Sequence, residues 1–179
     1  MATSAPASTL DVQRLRSVSD AQLQALADVL IDCVEGGASV SFMLPMTRAK
    51  ALAFWRHVAA SVERGERALL VAQDAQGIVG TVQVILDLPE NQPHRADVAK
   101  MLVHRRARRQ GAGAALMRAA ERAARDEGKT LLVLDTADDT AARLYARLGW
   151  QAAGTIPRYA LLPAGGECAT TYYYRALDA

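Results

Sequence analysis

The stretch Met101-Leu102-Val103-His104-Arg105-Arg106-Ala107-Arg108-Arg109-Gln110-Gly111-Ala112-Gly113-Ala114-Ala115-Leu116 joins an apolar strand end to an alanine-rich helix through a loop of arginines and glycines. A helix N-terminus presents unpaired backbone N–H groups and a partial positive charge, and glycines there let a phosphate approach without a Cβ in the way. Arginine forks beside it match phosphate oxygens. Two nucleotide-binding patterns fail on residues. Leu116 stands where a dinucleotide-binding glycine motif needs its third small residue, and no Lys-Ser/Thr follows the glycines as a P-loop requires.

The 179-residue chain carries a formal charge of only +2, but residues 95–109 hold Arg95, Lys100, Arg105, Arg106, Arg108 and Arg109 against one acid, Asp97. That window is +5 and the remainder −3, which suits one local anionic ligand and no nucleic-acid partner. No aromatic residue interleaves with the arginines to stack bases. A 51% hydrophobic composition excludes a disordered chain. No run approaches the ~18–20 apolar residues of a membrane span, so no membrane partner is expected. The start, MATSAPASTL, lacks a basic segment followed by an apolar one; residues 1–8 read as a flexible tail before a single domain over 9–179, with a cytoplasmic location. Cys33 and Cys168 are too few for a disulfide scaffold, and His57, His94 and His104 lack ligand spacing, so neither bridge nor metal is expected.

Outward from the glycine loop, hydrophobic period and punctuation divide the chain. A short strand is expected over Asp11–Arg16. Ser19 and Gln22 form a capping box for a helix with Leu23, Leu26, Ala27, Leu30 and Val34 on one face, stopped by Gly36-Gly37. After a loop from Gly37 to Pro45, Thr47 caps a second helix with Ala51, Phe54, Trp55, Val58 and Val62, ending at Gly65. Ala68–Gln73 and Ile78–Leu88 read as a hairpin, and His94–Val103 as the strand entering the glycine loop. Then follow a helix over Gln110–Glu127, a buried strand over Thr130–Thr136, a helix over Asp138–Leu148, and strands over Trp150–Ile156 and Thr170–Ala176. Mixed α/β is the fold class.

Arg108-x-x-Gly111-x-Gly113 and, further on, Asp138-x-x-Ala141-x-x-Leu144-Tyr145-x-x-x-Gly149-Trp150 resemble two ordered motifs of the Gcn5-related N-acetyltransferase (GNAT) family. The likeness spans Leu10 to Leu177. It implies a central, mostly antiparallel seven-stranded sheet flanked by four helices, with parallel strands 4 and 5 splayed apart, and acetyl-CoA as co-substrate. Gly36–Met43, Arg95-Ala96-Asp97-Val98-x-Lys100 and Leu134-Asp135-Thr136 are similar to the branch of the family that inactivates a β-lactam toxin by acetylating its free amine. That branch has Glu where this chain has Asp97. The implied activity is acetyl transfer, direct and within a ternary complex, to the primary amine of a small molecule such as an amino-acid-like toxin or antibiotic.

By that resemblance, the backbone of Met101, Leu102 and Val103 pairs with the pantetheine arm, and Arg108, Arg109, Gln110, Gly111, Ala112, Gly113 and Ala114 wrap the pyrophosphate. Tyr145 protonates the departing thiolate; as part of the stripe Ala141, Leu144, Tyr145, Leu148 it also reads as a core aromatic. Acetyl transfer needs a neutral amine, so Asp97 and Asp135 are the candidate base and amine anchor in either order, the base acting directly or through water. Asp97 is read as sharing a strand face with Ala99, Met101 and Val103. Each carboxylate has a plainer role too: Asp97 in a salt bridge to Arg95 or Lys100, Asp135 capping the next turn. Arg105 and Arg106 read as a solvated loop. Ser39 and Phe42, in the Gly37–Met43 loop, are candidate acceptor contacts, Trp55 reads more as core than as pocket wall, and Tyr172–Tyr174 as strand propensity. Asp138 replaces a frequent Asn and has no amide N–H to offer. A non-catalytic acyl-CoA-sensing module, or a nucleic-acid binder, fits part of the same sequence. Monomer and homodimer stay open.

Overall fold

The Ser19 capping box forms as the spacing requires: Ser19 Oγ accepts from Gln22 N–H at 3.3 Å while Gln22 Oε1 accepts from Ser19 N–H at 2.9 Å. It starts α1 (Asp20–Glu35), and Thr47 caps α2 (Arg48–Glu63). The computed structural model describes residues 10–177, so the tail expected over 1–8 lies outside the described residues. Seven strands, β1 (Asp11–Leu15), β2 (Arg67–Asp74), β3 (Gly77–Ile85), β4 (Arg95–Val103), β5 (Leu131–Thr136), β6 (Gln151–Leu161) and β7 (Glu167–Ala176), form one sheet in the order β1-β2-β3-β4-β5-β7-β6. Every neighbouring pair is antiparallel except β4–β5. Helices α3 (Ala112–Asp126) and α4 (Asp139–Arg147) complete the expected element order. Two cores cover the two faces of the sheet, while β6 at its edge is exposed along nearly its whole length. Leu116, Met117, Ala120 and Tyr145 pack on one face, and Leu26, Leu30, Trp55 and Val58 on the other. Trp55 is fully buried in that second core, as its helical spacing suggests. No helix among the described residues is long and apolar enough to cross a membrane.

Two features of β4 make the site. Its parallel pairing with β5 runs through Arg95↔Leu131, Ala96↔Leu132 and Asp97↔Val133 and then ends, although both strands continue. The strands therefore part, and Val98–Val103 lack a β5 partner. On the other edge, Thr81 pairs with Leu102 and Gln83 with Ala99, so Lys100 and Met101 lie opposite the single residue Val82. This is a β-bulge, with Lys100 in the left-handed region at φ 52°. A bulge shifts side-chain parity by one. Ala96 and Val98 face the α3 core before it, Met101 and Val103 pack against that same core after it, and Leu102 joins the α1–α2 core. The expected shared face of Asp97, Met101 and Val103 is thus wrong: Asp97 and Ala99 stay on the α1–α2 side, where Lys100 and Leu102 follow them, because an inserted residue is invisible to strict alternation.

The junction after α4 explains the second motif. Gly149 has φ 84°, and a Cβ there would lie 2.5 Å from a guanidinium nitrogen of Arg175. Arg175 in turn donates to the Leu148 carbonyl at 2.6 Å and pairs with the buried Glu121 of α3 at 3.2 Å. Trp150, 4% exposed, donates its indole N–H to Glu121 at 3.1 Å. Glycine, tryptophan and arginine together fasten the end of α4 to α3, which sets where Tyr145 sits. Beyond Trp150 the expected strand end at Ile156 is also corrected: β6 continues through Pro157 to Leu161, with Pro157–Tyr159 in an irregularity between Ile156 and Ala160, and β7 starts at Glu167. Proline is tolerated because β6 is an edge strand. Gly128 also has positive φ but open space around it. Urea denaturation is therefore expected to show Gly149→Ala losing about 1–3 kcal/mol more than Gly128→Ala, from the added clash.

Candidate functional site

The glycine loop folds into a short 3-10 turn, Arg105–Ala107, followed by two left-handed residues, Arg109 at φ 62° and Gly111 at φ 85°. Gly111 is the N-cap of α3 and offers no side chain, so the N–H groups of Ala112, Gly113 and Ala114 have no protein acceptor among the described residues. A Cβ on Gly113 would come within 3.0 Å of Leu144 Cδ2 and 3.7 Å of Met101 Sδ; the second motif glycine lets α3 close on α4 and β4. An uncapped, glycine-edged helix start of this kind is an anion site in waiting. Gln110 donates to the Arg106 carbonyl at 3.0 Å, and the Arg109 side chain makes no hydrogen bond or ion pair among the described residues.

Arg105 and Arg106 are exposed, as a solvated loop requires, but carboxylates also hold them. Asp32, in α1 and only 8% exposed, accepts the Arg105 backbone N–H at 2.9 Å and its guanidinium, with His104 Nε2 at 3.6 Å and Arg108 at 3.9 Å. Arg106 pairs with Asp74 at the hairpin turn. Arg108 donates to the Val103 carbonyl at 3.1 Å, and the buried Cys33 thiol donates to the same oxygen at 3.6 Å. Burial pushes the Cys33 thiol above its ordinary pKa. The signal for Asp32 in the sequence was a single acid inside Leu30-Ile31-Asp32-Cys33-Val34, whose partners were seventy residues away.

On the α1–α2 face, Asp97 and Asp135 come together. Asp135 is two residues beyond Val133, the β5 partner of Asp97, which places their Cα atoms roughly 8 Å apart or more. Asp97 is bonded to Arg95 through Oδ1, and Asp135 accepts Thr170 Oγ1 through Oδ2 at 2.7 Å. The second oxygen of each has no protein donor among the described residues. Asp135 does not cap the following turn; Asp138 does, accepting the Ala141 N–H at 2.7 Å, which spends that carboxylate on α4. Lys100 reaches Ser41 Oγ at 3.1 Å. Tyr172 lies opposite Asp135 in β7 and shares a 2.8 Å hydrogen bond with Tyr159 that pushes its pKa up to about 12. Lys100, Thr170, Tyr159 and Tyr172 were missed as site residues, because their approach depends on the bulge and on strand register.

Ser39 accepts from Cys168 Sγ at 3.6 Å, and Leu44 N–H donates to Pro163 O at 2.9 Å, so the loop after α1 arches over to the β6–β7 connection. Phe42 stacks edge-on with Phe54 at 5.2 Å. Tyr145 lies on the other face, 5% exposed, with its ring 6.0 Å from Trp150 and 5.9 Å from Tyr173. Burial, with the charges of Asp138 and Asp135, drives its phenol well above the usual range, so it holds its proton across neutral pH. The parting of β4 and β5 thus lies between a phenol on one side and two carboxylates on the other. Among the described residues no cluster of three or more His, Cys, Asp or Glu could hold a metal ion.

Residues 65–152 match the model of the acetyltransferase (GNAT) domain. An N-acetyltransferase from Staphylococcus aureus Mu50 superposes with a TM-score of 0.79 at 16% identity, covering 96% of this chain and 100% of that one. A GNAT superfamily phosphinothricin acetyltransferase from Sinorhizobium meliloti, solved in complex with acetyl-CoA, gives 0.76 at 18% identity over 96% and 89% of the two chains. A GCN5-related N-acetyltransferase from Kribbella flavida gives 0.75 at 23% identity over 94% and 98%. These likenesses show the GNAT fold, with its seven-stranded sheet and splayed parallel pair, and support the GNAT acetyltransferase family.

The raised Tyr145 pKa has a signed consequence. Its stabilising contribution is fully present below the unfolded phenol value of about 10 and is lost as pH climbs toward the higher folded value. Tyrosinate absorbance of the folded protein is expected to show Tyr145→Phe removing one of the five tyrosines from the late-titrating class. Stability of that variant should fall less than that of the parent between about pH 9 and about pH 11.

Proposed function

We propose that this chain, GNAT in fold, is an acetyl-CoA-dependent N-acetyltransferase acting directly, in a ternary complex, on the primary amine of a small molecule. The observation that carries the reading is the gap opened where β4 leaves β5, with the uncapped start of α3 at its edge and proton-handling groups on both faces. The residues fit acetyl-CoA. Free N–H groups of Ala112–Ala114, with Arg108, Arg109 and Gln110 beside them, suit its pyrophosphate. The unpaired edge of β4 at Met101 and Leu102 suits the amide-bearing pantetheine arm as an added strand. The Val103 carbonyl is already engaged by Arg108 and Cys33, which narrows its share of that role.

Bound acetyl-CoA supplies the acetyl thioester; everything else is the work of side chains. An acceptor amine enters as an ammonium and is drawn by Asp97 and Asp135. The unbonded oxygen of one of them takes its proton, directly or through a water. Tyr145, kept neutral by burial, holds the proton that the thiolate leaving group requires. Ser39 and Phe42 stand in the loop that roofs the acceptor side. The local likeness to toxin-inactivating members supports an amino-acid-like toxin or antibiotic as acceptor, and the S. meliloti neighbour is named for phosphinothricin, itself a small molecule.

Acetyl-CoA at 100 times its Kd is expected to stabilise the protein by ~2.7 kcal/mol; no shift in Tm at millimolar acetyl-CoA overturns the reading. Tyr145→Phe is expected to lower kcat by about a hundredfold or more with KM for acetyl-CoA nearly constant. Normal turnover in that variant removes Tyr145 from the chemistry.

A further inference from the structure

Lys100 is out of place in a site that receives an ammonium. The bulge turns it onto the same face as Asp97, at a left-handed φ of 52° that a lysine rarely adopts. Its Nζ touches Ser41 Oγ of the roofing loop at 3.1 Å, and no carboxylate lies within ion-pair distance among the described residues. The two carboxylates on its face are each held by another partner through one oxygen, Asp97 by Arg95 and Asp135 by Thr170. A second cation points the same way. Arg67 of β2 is held by Ser61 at 2.8 Å and by Gln83 at 2.6 Å, and has no ion pair within 4 Å among the described residues; Glu66, whose charge acts on it, is itself paired with Arg64. Gln83 lies opposite Ala99, next to the bulge. Burial lowers the Lys100 pKa, Asp135 opposes that shift and Arg67 adds to it, so Lys100 lies within the fields of both.

A half-buried ammonium beside the amine anchors repels a simple amine or a polyamine. It becomes favourable when the acceptor brings a negative group of its own. We infer that the acceptor is a zwitterion, an amine that also carries an oxyanion such as a carboxylate, and that Lys100, backed by the positive charge of Arg67, is the subsite for that oxyanion. The inference rests on the acetyltransferase reading above and adds to its amino-acid-like acceptor the residue that reads the negative end. Asp97 and Asp135 on one side and Lys100 on the other then read the two ends of a short zwitterion, with Ser41 donating or accepting alongside.

The test is a panel of matched acceptors, each amino acid beside its methyl ester and its decarboxylated amine, assayed by free-thiol release from acetyl-CoA. Ester and amine bracket the change in amine basicity. The acids are expected to exceed both partners in kcat/KM by about tenfold or more. In Lys100→Met that preference should collapse to within about threefold of unity, and Lys100→Arg should restore most of it. Esters or plain amines used as well as acids by the parent protein, a ratio that depends on no variant, overturn the inference while leaving the acetyltransferase intact. So does full acid preference in Lys100→Met. If no amine of any kind elicits thiol release in protein stabilised by acetyl-CoA, the acetyltransferase reading itself is overturned.

Discussion

The end of hydrogen bonding between β4 and β5 after Asp97↔Val133 is the constraint on which the rest of the structure depends. A parallel pair that kept this register to Thr136 would cover the β4 edge as far as Lys100 and narrow the gap beside Met101 and Leu102. Because it stops, β4 keeps an open edge inside the protein, where unpaired N–H and C=O groups are costly unless a ligand meets them. The same strand carries the Lys100 bulge on its other edge. Splay and bulge together turn one strand into a divider, with Met101 and Val103 on the α3–α4 side and Asp97 and Lys100 on the α1–α2 side.

What holds that divider in place is polar and long-range. Asp32 ties α1 to the turn that leads into α3, and Glu121 of α3 ties down Trp150 and Arg175 at the end of α4. Each is a buried carboxylate with several donors, the condition under which a buried charge is retained at acceptable cost. The basic loop accordingly spends Arg105, Arg106 and part of Arg108 on structure, leaving Arg109 and the helix N-terminus facing outward. The charge excess of residues 95–109 is thus partly internal bookkeeping.

Local rules carried the reading of the chain a long way. Capping at Ser19 and Thr47, the glycine stops at Gly36, Gly128 and Gly149, and the buried run Leu131–Leu134 were visible because each is a short-range preference. The stripe Ala141, Leu144, Tyr145, Leu148 packs as its spacing required. Failures came where a rule depended on distant partners. Pro157 looked like a strand end until β6 proved to be an edge, and Asp135 looked like a cap until Thr170 arrived from β7. Alternation along β4 broke at Lys100, since a bulge is set by how two strands accommodate each other.

By itself, the sequence determined the order of strands and helices, the uncapped glycine entry into α3, and the residue types at Tyr145, Asp97 and Asp135, all properties of segments a few residues long. The tertiary structure alone decided which faces those residues occupy. It brought Lys100 and Ser41 together across 59 positions, Asp32 and Arg105 across 73, and Thr170 and Asp135 across 35. Such contacts follow from strand register and helix docking, which balance the burial of two separate cores at once, and no local pattern encodes that balance.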